Sequence, residues 1–151
     1  MPTRTRPDVR IADVNIFIYA RRRESDRHDE YREWLEDALI DAEPFGVSTQ
    51  VLASFVRIVT NPRVYVDPTP IDGALAFCDV ILNAPSTVPI TPGPRHWHIF
   101  EELCREGQAR GNLVPDAYLA AMAVDLDATW FTTDRGFARF PQLRLRHPLS
   151  G

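Results

Sequence analysis

Short apolar runs alternate with longer amphipathic stretches along this chain, and that alternation predicts its elements. The run from Arg10, "RIADVN", reads as a buried strand passing directly into a short helical segment, "IFIYARR". In "RHDEYREWLEDALIDA", Tyr31, Trp34, Leu35, Ala38 and Leu39 recur at helical spacing, with Asp26 placed to cap the start. "PFGVS" predicts a second strand. Thr49 opens an apolar helix to about Val59, where "TNPR" stops it because the residue before a proline avoids helical geometry. A helix is expected from Ile71 to Asn83, a third strand at "STVPIT", and a helix in "RHWHIFEELCREGQAR" ended by Gly111. Pro115 suits the first turn of the helix carrying "DAYLAAMAVDLD", where its missing N–H has no partner to lose. "TWFTTD" and "LRLRH" supply a fourth and a fifth strand.

Strands alternating with helices predict one α/β domain over residues 1–151 with a central, mainly parallel sheet. In parallel units the carboxyl ends of the strands share one edge of the sheet with the starts of the crossover helices. Asp13 ends the first strand, Asp134 ends the fourth, and Asp116 lies in the first turn of the helix between the third and fourth. All three are therefore expected to face the crevice beyond the strand ends, where open α/β sheets bind ligands. Acids brought together without basic partners repel one another, and a divalent cation is the usual reason to tolerate it. Few carboxylates with the remaining positions left to water suit Mg²⁺ or Mn²⁺. Such an ion orients a scissile phosphate and makes water a nucleophile near neutral pH, so phosphodiester hydrolysis is the natural chemistry.

Each acid also has an ordinary structural role open to it. Asp116 complements a helix dipole, and Asp134 before "RG" can form an Asx turn. Asp13, set within an apolar run, is harder to explain in this way. The joint placement carries the signal.

Composition narrows the setting. Hydrophobic residues at 44% and charged residues at 25% place the chain among globular proteins and away from disordered ones. No run approaches the roughly 20 apolar residues that span a bilayer, and "MPTRTRPDVRIADVN" lacks the apolar core of a secretory signal. A cytoplasmic location without a membrane partner is expected. Cys78 and Cys104 sit in amphipathic segments without metal-ligand spacing and are expected to be reduced core thiols.

At the three acids the chain resembles the PIN-domain ribonucleases, in particular the VapC-type toxins of bacterial toxin–antitoxin pairs. "ADVNIFIYA" is similar to the family's opening acidic motif, "RIVTNPRV" to a recurrent segment of one branch, and "VPDAYLAAMA" and "TTDRGFARFP" to the closing acidic motifs. The likeness runs from about Arg10 to Leu145. It implies a three-layer PIN-like fold and a Mg²⁺- or Mn²⁺-dependent endoribonuclease acting on RNA, homodimeric and held inactive by a VapB-type antitoxin. By the same resemblance Asp13, Asp116 and Asp134 are the catalytic and metal-binding acids, Asp13 and Asp116 holding the ion and Asp134 orienting the attacking water or joining them. Asn15 and Thr133 match polar positions flanking the site.

One position departs from the family pattern. Many relatives carry a glutamate in the helix after the second strand, where "STQVLASFVR" leaves Ser54. A missing carboxylate weakens metal binding and leaves more of the shell to water or substrate phosphate. It keeps open a rival reading, a module of the same fold that binds RNA or protein with little catalysis. A phosphoryl-accepting receiver domain also gathers acids on this edge but requires a lysine, and all 17 basic residues here are arginine. A structure-specific DNA nuclease sharing the acidic site is a weaker rival.

An acidic pocket repels RNA unless cations surround it, and in this chain they are guanidinium forks on a background net charge of −4. Arg21, Arg22 and Arg23 follow the Asp13 segment, Arg57 shares a helix with Ser54, and Arg135 and Arg139 flank the last acid. These are expected to line the rim and hold phosphates. A solvated helix end for Arg21 to Arg23 and an ion pair for Arg57 are the ordinary alternatives. His28, His96 and His98 are expected in surface or capping roles, and Trp34, Trp97 and Trp130 in the core or an interface.

Overall fold

Three buried strands form the middle of the sheet, each too short and too apolar to stand anywhere else. The computed structural model describes residues 8–150, so the first seven residues of the amino-terminal stretch read for its lack of a secretory signal lie outside the described residues. Strands β1 (Arg10–Ala12), β2 (Phe45–Val47), β3 (Thr87–Pro89), β4 (Thr129–Phe131) and β5 (Arg144–Arg146) pair in parallel in the order β3-β2-β1-β4-β5. Phe45, Val47, Ile11, Ala12 and Trp130 are buried, as expected for strands covered on both faces. The outer strands are protected differently: β3 ends in Pro89 and β5 carries Arg144 and Arg146, features that discourage further strands from adding.

The helices are α1 (Val14–Arg21), α2 (His28–Ile40), α3 (Thr49–Val59), α4 (Ile71–Leu82), α5 (His96–Glu106) and α6 (Leu113–Asp125). The chain steps from β1 to β2 to β3 in one direction, then crosses back to place β4 on the other side of β1. Right-handed crossovers put α1 to α4 on one face and α5 with α6 on the other. Contacts follow the same grouping: α1 packs on α2 and α3, α3 on α4, and α5 on α6. The result is the three-layer α/β architecture expected, with one core cluster that includes Phe17, Phe45, Phe55, Leu103 and Trp130. The reversal of direction falls between β1 and β4, the place where such sheets open a crevice at their carboxyl edge.

Two expected boundaries are corrected. Asp26 does not cap α2: the chain enters that helix through Arg27 in the left-handed region (φ 57), and no side chain caps the start. Arg27 instead bonds Glu30 through Nε and Nη2 at 3.1 and 2.7 Å. Likewise α5 ends at Gly107, four residues before Gly111, which occupies a left-handed turn (φ 54) in the following loop. No helix among the described residues is long and apolar enough to cross a membrane.

Gly46 is required by close packing at the centre of β2. A Cβ there would stand 3.2 Å from side-chain carbons of Val9, Ile11 and Ile90. Gly46→Ala is therefore expected to cost about 1–3 kcal/mol through overpacking. A chemical-denaturation midpoint unchanged by the substitution would show that the strands part freely to admit a methyl group.

Candidate active site

The register of β1 on β4 builds the site. Ile11 pairs with Trp130 and Ala12 with Phe131, so the next residues, Asp13 and Thr132, face each other just past the strand ends. The backbone N–H of Asp13 still donates to Phe131 O at 2.8 Å, extending the ladder. The Asp13 carboxylate, 5% exposed, accepts from Val14 N at Oδ1 and from Thr132 Oγ1 at Oδ2, each at 2.7 Å. It thereby caps α1 and bridges two strands at once. Thr132 Oγ1 in turn accepts the backbone N–H of Asp134 at 3.0 Å. Asp134 is exposed and uses Oδ1 to accept Gly136 N at 2.8 Å, an Asx turn that starts a 3₁₀ helix over Arg135–Arg139. Asp116, half-buried in the first turn of α6, has no hydrogen-bond partner for its carboxylate among the described residues.

The three acids share one electrostatic field. Burial pushes Asp116 up to about 6, and the charges of Asp13 and Asp134 add to the rise, against a smaller lowering by Arg139. Asp13 is raised by burial, partly offset by its bonds from Thr132 and Val14, with Asp134 raising it further. Arg139 makes no hydrogen bond to Asp116; its Nε and Nη1 donate to the carbonyls of Gly136 and Gly107 at 3.1 and 3.2 Å.

The three acids meet at this edge without forming a closed ligand set. Among the described residues, no group of three or more His, Cys, Asp or Glu could hold a metal ion as it stands. Two of the carboxylates are instead engaged by nearby donors, Asp13 by Thr132 and Val14 and Asp134 by Gly136. The donor chemistry nevertheless suits a hard cation. Asp116 presents a repelled carboxylate without a bonding partner beside Asp13, and Asp134 keeps Oδ2 outside its turn.

The flanking residues sort less evenly. Thr132, rather than Thr133, ties Asp13 to Asp134, while Thr133 lines two neighbouring hollows. The paired register of "IAD" with "WFT" is the signal that identifies Thr132. Asn15, in the first turn of α1, and Ser54, on α3, are half-buried with side chains unbonded among the described residues. Arg22 is removed from the set of RNA contacts. It is buried, reaches Thr69 Oγ1 at 3.0 Å and Asp67 O at 2.9 Å, pairs with Glu24, and stacks 3.7 Å over the Tyr65 ring. That guanidinium fastens the loop before α4 to the end of α1. Arg21 ends α1, about 12 Å along the axis from its start, and its Nη2 lies against Gly73 of α4. Arg57 is exposed near the corresponding far end of α3 and has no ion pair among the described residues, so the structural pairing open to it is not made there. Arg135, next to Asp134, is also exposed and unpaired among the described residues.

The remaining candidates are structural. His28 Nδ1 meets Tyr19 O at 2.7 Å and His98 pairs with Glu102 at 2.9 Å. His96 departs from the surface role expected of it, since it is buried with Nε2 2.8 Å from Tyr118 O. Trp130 is fully buried and Trp34 packs on Phe45 and Phe131, but Trp97 is 62% exposed and so lies outside the core. Cys78 is buried and Cys104 partly so, both as free thiols.

A parallel α/β sheet with acids at its switch point is the arrangement of a PIN domain, and the family model for the PIN domain matches residues 10–143. The chain is 47% identical to Ribonuclease VapC43 of Mycobacterium tuberculosis over 139 residues, covering 92% of this chain and 95% of that protein. It is 39% identical to Ribonuclease VapC31 of the same species over 140 residues, covering 92% and 99%. The fold also matches solved structures of VapBC2 from Rickettsia felis bound to a promoter DNA fragment (TM-score 0.68, 23% identity, 92% of this chain and 98% of that one) and VapBC-1 from Haemophilus influenzae (0.66, 14%, 94% and 99%). The chain belongs to the PIN-domain family, within its branch of VapC ribonucleases.

The raised Asp116 has a consequence for stability. Its folded value, about 6, stands above its ordinary 3.8, so between these two the folded chain holds the extra proton. The destabilisation from this group is absent below pH 4 and fully present above pH 6. After allowance for solvent screening of a half-exposed group, Asp116→Asn is expected to gain about 1 kcal/mol at pH 7.5, or about 2–4 °C in melting midpoint. The gain should vanish at pH 4, and equal midpoints for the two proteins at pH 7.5 would remove the claimed repulsion.

Proposed function

We propose that this chain is a divalent-metal-dependent endoribonuclease, the toxin of a VapBC-type toxin–antitoxin pair. The observation that carries the reading is the repelled carboxylate of Asp116, raised to about 6 beside Asp13 and Asp134 at the β1/β4 switch point. The identity with VapC ribonucleases over nearly the whole chain supports it. Mg²⁺ or Mn²⁺, when bound, neutralises phosphate charge and makes water acidic enough to attack phosphorus near neutral pH.

The chain's own residues do the rest. Thr132 holds Asp13 Oδ2 and so fixes the carboxylate's direction. Asp13 and Asp116 would hold the cation, and Asp116 would have to lose its proton to do so, so metal affinity should fall as pH drops below about 6. Asp134, with Oδ1 anchored by Gly136, has Oδ2 available to orient the attacking water and accept its proton. As the new P–O bond forms, the ester P–O bond breaks and the leaving oxygen takes up a proton from solvent, while Asp134 returns the proton it accepted to solvent. Asn15 can add a hydrogen bond to substrate. Ser54 contributes no charge, so a bound ion would draw more of its ligands from water and the scissile phosphate. Arg135 and Arg57 remain free for RNA phosphates. A cytoplasmic homodimer silenced by a VapB-type antitoxin completes the proposal, and the exposed Val64, Val66, Ile71, Leu75 and Trp97 offer apolar surface for protein partners.

Ser54 and the unclosed acid set favour a second reading, a PIN-fold module that binds RNA or protein with little catalysis. Cleavage of single-stranded RNA, tRNA and DNA with Mn²⁺ separates the two. RNA products should appear, and fall at least about 100-fold in Asp13→Asn and Asp116→Asn while the circular dichroism spectrum is retained. No metal-dependent product at high enzyme concentration would leave the binding module, and preferential cleavage of DNA would replace the substrate.

A further inference from the structure

Next to the acids lies a second feature the three carboxylates do not explain. Strand β5 runs parallel to β4, so its carboxyl end reaches the same edge of the sheet as Asp134. There a hollow of about 350 Å³ opens, lined by Thr132, Thr133, Asp134 and Arg135 after β4 and by Arg146 and His147 at the end of β5. It shares Thr132 and Asp134 with the acidic site. Its volume is at the low end for ligand pockets, which suits one nucleotide unit rather than a folded helix of RNA.

The cations lining it are uncommitted. Arg10, Arg22, Arg27, Arg32, Arg95, Arg105 and Arg144 all have carboxylate partners, but Arg135 and Arg146 have none among the described residues. The Arg146 guanidinium lies 5.9 Å over the Phe131 ring, an arrangement that steadies it without using its N–H groups. His147 Nδ1 accepts Leu149 N at 3.1 Å, so in the neutral ring the proton sits on Nε2 as a fixed donor. Two guanidinium forks and a preset imidazole N–H facing one hollow form a phosphate-binding set. A smaller hollow of about 220 Å³ meets the first at Thr133 and leads to the Tyr19 and Tyr31 rings, 5.1 Å apart.

We propose that this β4–β5 hollow binds the nucleotide flanking the scissile bond, gripping its phosphate with Arg135 and Arg146 and a further oxygen with His147. The inference rests on the RNA-cleaving reading and adds a positioning subsite to it. It accounts for how an edge carrying three acids retains a polyanion: Arg135 and Arg146 set positive charge against Asp134 in the same hollow.

The test separates the subsite from the chemistry. Binding of a fluorescent ten-nucleotide single-stranded RNA is measured by anisotropy across a salt series in the Asp116→Asn protein, whose cleavage is suppressed. Adding Arg135→Gln and Arg146→Gln should weaken binding about tenfold or more, as expected when at least one charge-assisted hydrogen bond is removed. It should also flatten the slope of log K against log salt by about 0.7 for each phosphate no longer neutralised. Arg105→Gln, which removes the same charge from α5, should leave both unchanged. In the cleaving background the pair should raise KM with kcat nearly constant. Failure of every protein to cleave RNA would sink the hydrolytic reading alone, since the binding comparison stands without it. A parent that does not bind RNA, or an Arg135/Arg146 double variant with the affinity and slope of Arg105→Gln, overturns the subsite.

Discussion

A carboxylate with 5% of its surface exposed stays charged only where donors or a cation answer it, and Asp13 is placed where the Val14 N–H and the Thr132 hydroxyl both donate to it. Its position one residue past β1 is set by the pairing of Ala12 with Phe131, which also brings Thr132 opposite. That hydroxyl joins Asp13 to the Asp134 backbone through two hydrogen bonds. The fold around it serves this junction. Reversal of strand order between β1 and β4 opens the crevice, and the helix that returns the chain to β4 brings Asp116 to the same edge.

The site is held under electrostatic tension. Hydrogen bonds from Val14, Thr132 and Gly136 answer Asp13 and Asp134, whereas Asp116 is left to the cost of burial and the added repulsion of both. Arg139 stands near enough to lower Asp116 but spends two of its donors on backbone carbonyls. A fully paired cluster would be more stable and would have no remaining capacity for a divalent ion. Stability given up at a functional site in this way is expected where charge must be held ready for a ligand.

The order and boundaries of most elements were legible in the chain because they depend on local chemistry. Proline ended α3 near Val59, and the apolar runs marked the strands. The acidic edge was legible for the same reason, since parallel topology puts strand ends and helix starts together. What escaped depended on distant partners or backbone conformation. Arg22 resembled the arginines beside it, but Thr69, Asp67 and Tyr65, more than 40 residues along the chain, draw it into the interior. Asp26 had a capping side chain, yet the left-handed Arg27 put it outside the helix. Thr133 and Thr132 differ only in which side of the strand end they face, which the pairing register decides. Arg146 and His147 carried no sequence signal, because their place beside the acids depends on β5 running parallel to β4.

The central claim is that burial, reinforced by its acidic neighbours, holds Asp116 in a state that a divalent cation relieves. Carboxyl-carbon NMR of the chain, titrated from pH 3 to 8 with and without Mg²⁺, reads this directly. Asp116 should titrate near 6 without the ion and well below that with it, as the cation competes with the proton. Titration of Asp116 near its ordinary 3.8, unmoved by Mg²⁺, would contradict the account.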